Sequence, residues 1–241
     1  LVYSYVNKVK IPSNSFCITF DDGFYNNYKI AAPILNDLNI HSTFYICTDF
    51  ILNNRMSWID RIDAAVEQSN GVEIEMPWGI MAFDKSIKNK INFLTKIRKI
   101  IKTNTKYDPI KFSDKIQKLL IKKNFDKSND IIDKKLSIKN VKELLNNSLF
   151  SIGGHSHKHK IFSGMSKEEC RLDIKKSITL IKRNITNDLI HYSYPEGLPN
   201  SFTNREMNIL KKFNIICCPS AQKGYNNLNS NLFNLKRIFV V

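Results

Sequence analysis

Hydrophobic and polar positions along the chain follow two alternating patterns. Short apolar runs rich in β-branched and aromatic residues predict strands, and longer segments with apolar residues every three or four positions predict helices. The predicted strands are residues 16–20, 42–47, 149–153, 190–194, 214–218 and 236–241. The predicted helices are residues 26–38, 57–69, 166–184 and 202–212. This alternation predicts parallel β/α units, and the pattern alone does not separate an open doubly wound sheet from a closed barrel.

Residues 70–148 interrupt the alternation. They open with a stretch from Gly71 to Gly79 that predicts a hairpin, and they continue as a lysine-rich helical segment. Apolar residues in that segment recur on one helical face, namely Ile87, Ile91, Leu94, Ile97 and Ile101. We expect an insertion that forms a lid or flank of a single domain covering residues 1–241, because no internal repeat and no long Pro/Gly/Ser linker divides the chain.

The charge of the chain is concentrated in this middle part. The whole sequence has a formal net charge of +15, and residues 85–135 contribute +11 of it through sixteen Lys and Arg against five Asp. Such a surface could bind an anionic membrane surface or an anionic glycan; a solvated helical face is the alternative. No nucleic-acid partner is expected, because aromatic residues are scattered there and no zinc-finger or RNA-recognition motif is present.

The five cysteines are odd in number and include no Cys-x-x-Cys pair, which predicts buried, reduced thiols. No apolar run approaches the ~20 residues that span a bilayer, and no signal peptide opens the chain. A cytoplasmic or membrane-peripheral location is therefore expected. The sequence begins at Leu1 and not at a methionine, so we expect residues to be missing from its ends.

Two adjacent aspartates, Asp21 and Asp22, follow the first predicted strand and precede Gly23. Neighbouring carboxylates repel each other, and the arrangement is tolerable if a cation binds one and leaves the other free to accept a proton. An ordinary Asp-Asp-Gly turn is the alternative.

Three of the five histidines fall within residues 155–159, after another predicted strand that opens into a glycine turn. His155 and His159 are four residues apart, close enough to share one cation in a helical turn or in a compact loop. Two imidazoles and a carboxylate, with positions open to water or substrate, fit a catalytic Zn²⁺, with Co²⁺, Ni²⁺ or Fe²⁺ as alternatives.

In their order along the chain, these motifs resemble those of the polysaccharide deacetylase family, the NodB-homology enzymes of carbohydrate esterase family four. Thr19–Gly23 is similar to the first motif of the family, His155–His159 to the second, and Ser193–Gly197 to a variant of the third. Further similar segments are Ala32–Leu35, Ser42–Ile46 and Leu235–Ile238. The resemblance implies a distorted (β/α) barrel with about seven parallel strands.

The resemblance also implies roles for individual residues. Asp21 is expected to be the general base, and the backbone N–H of Glu196 is expected to stabilise the oxyanion. Asp22, His155 and His159 are the implied metal ligands. The implied reaction removes the N-acetyl group from an amino sugar of a cell-surface glycan or its lipid-linked precursor and releases acetate. Two alternatives stay open, a sugar deformylase acting on a lipid carrier and a catalytically impaired glycan-binding relative.

The chain departs from the family pattern at two points. The common third motif has an arginine that orients the catalytic aspartate, and Ser193 occupies that position here. Arg237 could replace it by charge alone, but a surface arginine is an equal alternative, so its role is left unassigned. The family also uses a histidine as general acid after the third motif, whereas no histidine follows His191. We expect His191 and His41 to be structural or surface residues.

Four further residues are candidates for binding the sugar. Tyr194 and Pro195 belong to the third motif, and Trp58 and Asp60 lie at the start of a predicted helix. An aromatic face can stack on a pyranose ring, and a carboxylate can bond its hydroxyls. Core packing of Trp58 and a first-turn helical role of Asp60 are the alternatives.

Overall fold

The structure is a computed structural model that describes residues 4, 7, 9–104, 106–122, 124–128 and 130–240. Its contacts divide the chain into two compact units. The first unit comprises Leu1–Asn54 and Asp130–Val241, and the second comprises Arg55–Asn129. The second unit overlaps the predicted insertion at residues 70–148 but begins and ends earlier in the sequence.

The first unit is an α/β structure with parallel strands, and its elements are numbered here along the whole chain. Its strands are β1 (Ile18–Phe20), β2 (Ser42–Ile46), β5 (Phe150–Gly154), β6 (Pro219–Lys223) and β7 (Leu235–Arg237). Its helices are a π-helical turn (Asn27–Ala31) continued by α1 (Ala32–Asp37), α2 (Thr48–Asn53), α6 (Ile138–Leu145), α7 (Lys167–Asn184) and α8 (Asn204–Lys212), with 3₁₀ turns at Phe162–Gly164 and Leu232–Asn234. Capping boxes begin α6, α7 and α8 at Ser137, Ser166 and Thr203.

A parallel sheet in the order β1-β2-β5 forms the centre of the first unit. All five residues of β2 are buried, as expected of a strand that is covered on both faces. Parallel bridges continue from Gly154 to Tyr192 and from His191 to Cys217, and β6 pairs in parallel with β7. The carboxyl ends of β1, β2 and β5 therefore lie at one edge, where the loops that follow them can meet.

The hydrophobic core of the first unit lies between this sheet and its helices, and α6 and α7 both pack against β5. Burying one large apolar side chain contributes about 1.5–3 kcal/mol. The largest fully buried members of this core are Tyr192, Tyr194, Phe44, Phe162, Ile46, Leu136, Ile152, Ile174 and Ile181.

The second unit has a core of its own. Its elements are α3 (Trp58–Gln68), β3 (Val72–Met76), β4 (Gly79–Phe83), α4 (Ile87–Thr103) and α5 (Pro109–Ile121). The antiparallel β3–β4 pair is the predicted hairpin, with Met76 opposite Gly79. The prediction of the apolar face of α4 is wrong at the N-terminal end of the helix. Ile87 and Ile91 are 76% and 56% exposed, while Phe93 is buried together with Ile97 and Ile101, because the face that packs on the hairpin is rotated toward Phe93.

Several predicted strands are shorter than expected. The strand predicted at residues 16–20 begins at Ile18, and the one predicted at residues 236–241 is β7, which ends at Arg237. Residues 190–194 contribute bridges at His191 and Tyr192, and residues 214–218 contribute one at Cys217. All five cysteines are free, and four of them are buried as predicted; Cys17 is exposed. In the part of the chain that the structure describes, no helix has the length and apolar character needed to cross a membrane.

His191 is a polar residue inside the first unit. Its ring packs edge-on against Tyr45 with a centroid distance of 5.5 Å. Its Nδ1 atom is buried and has no hydrogen-bond partner among the described residues. Burial disfavours the charged imidazolium and lowers the pKa of His191 from 6.5 to about 4.

This shift predicts a pH dependence of stability. Between pH 6.5 and about 4 the unfolded chain binds a proton at His191 that the folded chain does not bind, since the folded-state pKa is the lower one. The free energy of unfolding should therefore fall as the pH falls through this window, by at most about 1.4 kcal/mol per pH unit from this group. His191→Gln should reduce that slope in urea unfolding measured with chelator present. His41→Gln, at an exposed histidine, is the matched control, and an unchanged slope in His191→Gln would contradict the assignment.

Candidate metal and catalytic site

Asp22, His155 and His159 lie together in the loops that follow β1 and β5. One ligand atom from each residue lies within 4.8 Å of the other two. Asp22 Oδ1 is 3.3 Å from His155 Nε2 and 3.0 Å from His159 Nε2. The structure thus brings the three predicted ligands to one point, although residues 22 and 155 are far apart in the sequence.

The turn after β1 depends on a left-handed backbone. Asp22 has φ of 73° and Gly23 has φ of 84°, and the Gly23 N–H donates to the Asp21 carbonyl at 3.0 Å. A Cβ at position 23 would lie 3.1 Å from Cγ2 of Ile51. A larger residue would therefore be both strained and crowded, which explains the glycine of the Asp-Asp-Gly sequence.

His155 is fixed at both its backbone and its ring. Its N–H donates to the Ile46 carbonyl at 2.9 Å, and its Nδ1 lies 3.0 Å from the Ser193 carbonyl oxygen. A carbonyl oxygen can only accept, so Nδ1 carries a proton, and in the neutral ring it is then Nε2 that presents its lone pair toward Asp22. A backbone carbonyl that selects the tautomer in this way is typical of metal-ligating histidines.

This donor set fits a divalent cation. His155 Nε2 and a carboxylate oxygen of Asp22 face each other at 3.3 Å, an arrangement that positive charge between them stabilises, whether a bound cation or a proton on the ring. Burial lowers the pKa of His159, but the neighbouring Asp22 carboxylate outweighs this effect and raises it to about 9. Burial raises the pKa of Asp22, yet the two imidazoles outweigh it and hold that pKa well below its usual value. The site therefore attracts positive charge through its own protein atoms.

Asp21 points to a different partner, Arg237 of β7. Nη1 of Arg237 donates to Asp21 Oδ1 and Nη2 donates to Asp21 Oδ2, each at 2.8 Å, and Nε donates to the Ser220 carbonyl at 2.7 Å. The Arg237 side chain is only 13% exposed. Burial lowers the pKa of Arg237, and the Asp21 carboxylate more than compensates, so the guanidinium stays charged. A bidentate pair of this kind fixes the orientation of a carboxylate.

Ser193 takes part in the same contacts. Its hydroxyl accepts from Arg237 Nη2 at 3.2 Å and lies 3.5 Å from Asp21 Oδ2. The sequence alone assigned no role to Arg237. In the structure, the Arg237 side chain reaches Asp21 from β7. The resemblance implied an arginine at the position of Ser193, and Arg237 of β7 contacts Asp21 instead.

The third motif, Ser193–Gly197, ends in a turn with a left-handed backbone. Glu196 and Gly197 have φ of 64° and 60°, and the Gly197 carbonyl accepts from the Ala221 N–H at 2.8 Å. The Glu196 carboxylate contributes to the raised pKa of His159, after burial and Asp22. The oxyanion role of the Glu196 N–H stays a prediction.

Tyr194 and Pro195 are both buried. The Tyr194 ring stacks on Phe202 with a centroid distance of 3.9 Å, and its hydroxyl donates to the Phe233 carbonyl at 3.0 Å. These contacts are those of a packed core residue, and sugar binding by Tyr194 and Pro195 stays a prediction.

Trp58 and Asp60 belong to the second unit. Trp58 is 7% exposed and is part of the core of that unit. Asp60 completes the capping box of α3, with its Oδ2 accepting from the Ser57 N–H at 3.2 Å. Their proposed contact with a sugar also stays a prediction.

The donor set predicts about one zinc ion per chain after chelation and reloading. His155→Ala and His159→Ala should lose it, because each removes one of three ligands. Asp21→Asn should retain it, since that side chain bonds Arg237. Elemental analysis after dialysis measures the metal, and His41→Ala is the control for removing a histidine elsewhere. Zinc bound to His159→Ala in the wild-type ratio would contradict the ligand assignment.

Comparisons with known proteins agree with the geometry. A family model described as polysaccharide deacetylase matches residues 111–215, a range that includes His155 and His159 but neither Asp22 nor Arg237. No curated protein is similar enough in sequence to count as a relative.

Solved structures of deacetylases share the fold. The deacetylase PplD of Streptococcus pyogenes aligns with a TM-score of 0.60 at 14% identity, covering 100% of this chain and 70% of that one. The deacetylase domain of BpsB from Bordetella bronchiseptica gives 0.57 at 14% identity, covering 98% and 75%. IcaB from Ammonifex degensii gives 0.56 at 12% identity, covering 98% and 71%. The family model over residues 111–215 and the shared fold agree with the resemblance to polysaccharide deacetylases that the sequence motifs indicate.

Proposed function

We propose that the protein is a metal-dependent hydrolase that removes the N-acetyl group from an amino sugar of a cell-surface glycan or its lipid-linked precursor and releases acetate. The observation that carries this proposal is the pairing of two adjacent carboxylates with different partners. Asp22 lies against His155 and His159, while Asp21 is held by Arg237. The site thus combines a cation-binding group with an oriented carboxylate next to it.

Asp22, His155 and His159 would hold the metal, with Zn²⁺ favoured by two imidazoles and one carboxylate and Co²⁺, Ni²⁺ or Fe²⁺ as alternatives. A divalent cation bound there supplies a Lewis acid for the amide carbonyl and makes a water molecule easier to deprotonate.

Asp21 is the proposed general base. Both oxygens accept from Arg237, and Oδ2 accepts a second, longer bond from the Ser193 hydroxyl at 3.5 Å. Oδ1 retains a lone pair, so the carboxylate is oriented and can still accept a proton from the attacking water. The proposed oxyanion donor is the backbone N–H of Glu196.

The leaving amine needs a proton; of the histidines outside the ligand set, His41 is exposed and the other two are engaged elsewhere. His157 Nδ1 lies 2.9 Å from Thr48 Oγ1, and His191 packs against Tyr45. We infer that Asp21, once protonated, returns its proton to the amine. One carboxyl group would then act first as base and then as acid.

For the architecture, we propose a distorted (β/α) barrel of about seven strands in a single domain, with the second unit inserted into it. The parallel neighbours of β1, β2 and β5 support this arrangement. The contacts from Arg237 of β7 to Thr19 and Asp21, at the end of β1, support it as well. The sequence of the first unit resumes after the second unit, as an insertion requires.

Acetate release from N-acetylglucosamine oligomers by the zinc-loaded protein tests the reaction. Asp21→Asn should lower turnover about 10²–10⁴-fold, because a general base is lost while the metal stays bound. Arg237→Gln should lower it about 10²-fold, because the base loses its orientation. Asp37→Asn, at an exposed aspartate, is the matched control.

Full turnover in Asp21→Asn would overturn the assignment of the base. Formate release from N-formylated substrates, with no acetate release, would show that the enzyme is a deformylase and not a deacetylase. Bound zinc with no release from oligomeric or lipid-linked substrates would favour a glycan-binding relative.

We further propose that the basic middle part of the chain binds an anionic membrane surface. On α5 the side chains of Lys111, Lys115 and Lys118 are exposed at helical spacing, and Leu119, 46% exposed, lies among them. Lysines beside an exposed apolar residue fit a lipid headgroup region, where each lysine contributes about 1 kcal/mol.

Sedimentation with vesicles tests this surface. Binding to vesicles that contain anionic lipid, and not to neutral vesicles, should weaken about 10²-fold in the Lys111, Lys115 and Lys118→Gln triple variant. The matched control replaces Lys167, Lys175 and Lys176 of α7 and removes the same charge. Equal losses of vesicle binding in both variants would show that only the net charge matters. Binding to an acidic glycan without binding to vesicles would show that the surface recognises a glycan.

A further inference from the structure

The loop from His155 to His159, called here the ligand loop, carries two of the three proposed metal ligands. Its backbone conformation is energetically unfavourable at two residues. Ser156 has φ of 68° and His159 has φ of 53°, both in the left-handed region. Neither residue is glycine, so each costs roughly 1 kcal/mol or more in this conformation. Contacts from outside the loop have to hold it in place.

Every backbone N–H of the ligand loop is hydrogen-bonded. The acceptors come from several parts of the first unit and include a carbonyl, two hydroxyls and a carboxylate. In chain order, the bonds run from His155 N to Ile46 O at 2.9 Å, from Ser156 N to Tyr192 Oη at 2.7 Å, from His157 N to Asp173 Oδ1 at 2.8 Å, from Lys158 N to Asp173 Oδ2 at 3.2 Å and from His159 N to Ser156 Oγ at 2.8 Å.

Asp173 accepts two of these five bonds. It lies on α7 and is 9% exposed, so its carboxylate is nearly removed from water. A carboxylate costs free energy when it is buried, unless hydrogen bonds compensate it. Asp173 obtains these bonds from two consecutive N–H groups between the ligands His155 and His159, and it thereby ties the ligand loop to a long helix of the core.

The same loop is held from its other side by α2. The N–H groups of Thr48 and Asp49 donate to the carbonyls of Ser156 and His157 at 3.2 and 3.0 Å. The ligand loop is therefore held between two helices, with Asp173 supplying the charged contact. Since two imidazoles must present Nε2 to the same oxygen of Asp22, a shift of the loop would separate the ligand atoms.

We propose that Asp173 is a positioning residue for the metal site: by accepting the N–H groups of His157 and Lys158, it fixes the loop that presents His155 and His159. It touches neither substrate nor metal and acts through the loop backbone. The inference rests on the metal site of the proposed function, but it concerns the affinity for metal and is tested without turnover.

The test is the zinc affinity of Asp173→Asn, measured by competition with a chromogenic chelator. An amide offers one acceptor oxygen where the carboxylate offers two, and its NH₂ group would face a backbone N–H. We expect zinc binding about 10–100-fold weaker than in the wild type, the usual loss when a group that orients a ligand is changed. The visible spectrum of the Co²⁺-loaded variant should differ from that of the wild type, because the ligand geometry changes.

The matched control is Glu168→Gln, which removes an exposed carboxylate from the same helix. Thermal unfolding with chelator present reports whether each variant is folded. If Asp173→Asn does not fold, Asp173→Glu replaces it, since it keeps the charge and displaces the oxygens by one methylene; its zinc affinity should also fall.

Zinc affinity within about twofold of the wild type in a folded Asp173 variant would overturn this inference and leave the proposed function intact. A wild-type protein that binds no zinc, cobalt, nickel or iron would overturn both the inference and the metal part of the proposed function. Weaker zinc binding in Asp173→Asn alone, with an unchanged Glu168→Gln, supports the positioning role.

Discussion

The repulsion between two neighbouring carboxylates is the constraint on which the site depends. Asp21 and Asp22 are adjacent in sequence and lie at the end of a buried strand, where two negative charges would repel each other strongly. The left-handed turn at Asp22 directs the two side chains to separate partners. Arg237 neutralises one, and the histidine pair with its cation would neutralise the other. In the proposed mechanism, consecutive residues would thus meet opposite requirements, a bound metal and an available base.

The parallel strands make this separation possible. The loops after β1 and β5 meet because the carboxyl ends of neighbouring parallel strands lie at one edge of the sheet. Ser193, just past the Gly154–Tyr192 bridge, contributes its carbonyl to His155 and its hydroxyl to Arg237. One residue therefore contacts the metal-ligand side and the base side of the site, which links their positions to each other.

The sequence was sufficient to predict the candidate ligands that the structure brings together, and insufficient to predict the partner of the proposed base. Asp22, His155 and His159 lie in short motifs whose spacing already implies their chemistry. The place of Arg237 depends on how its strand lies relative to β1, and a local pattern contains no such information. The exposed Ile87 on α4 has a related cause, since helical periodicity allows neighbouring faces and only packing selects one. Most helices and the central strands followed from local patterns because those patterns and the packing agree.

The pairing of Asp21 with Arg237 also has a consequence for the order in which the protein matures. A chain is synthesised from its N-terminus, and its parts can begin to fold before later residues exist. The three proposed metal ligands and the residues that hold the ligand loop, up to Ser193, are all made before Arg237, the partner of the proposed base, at residue 237. A nascent chain could therefore acquire its metal before its base is oriented, and hydrolytic competence would arrive only with β7.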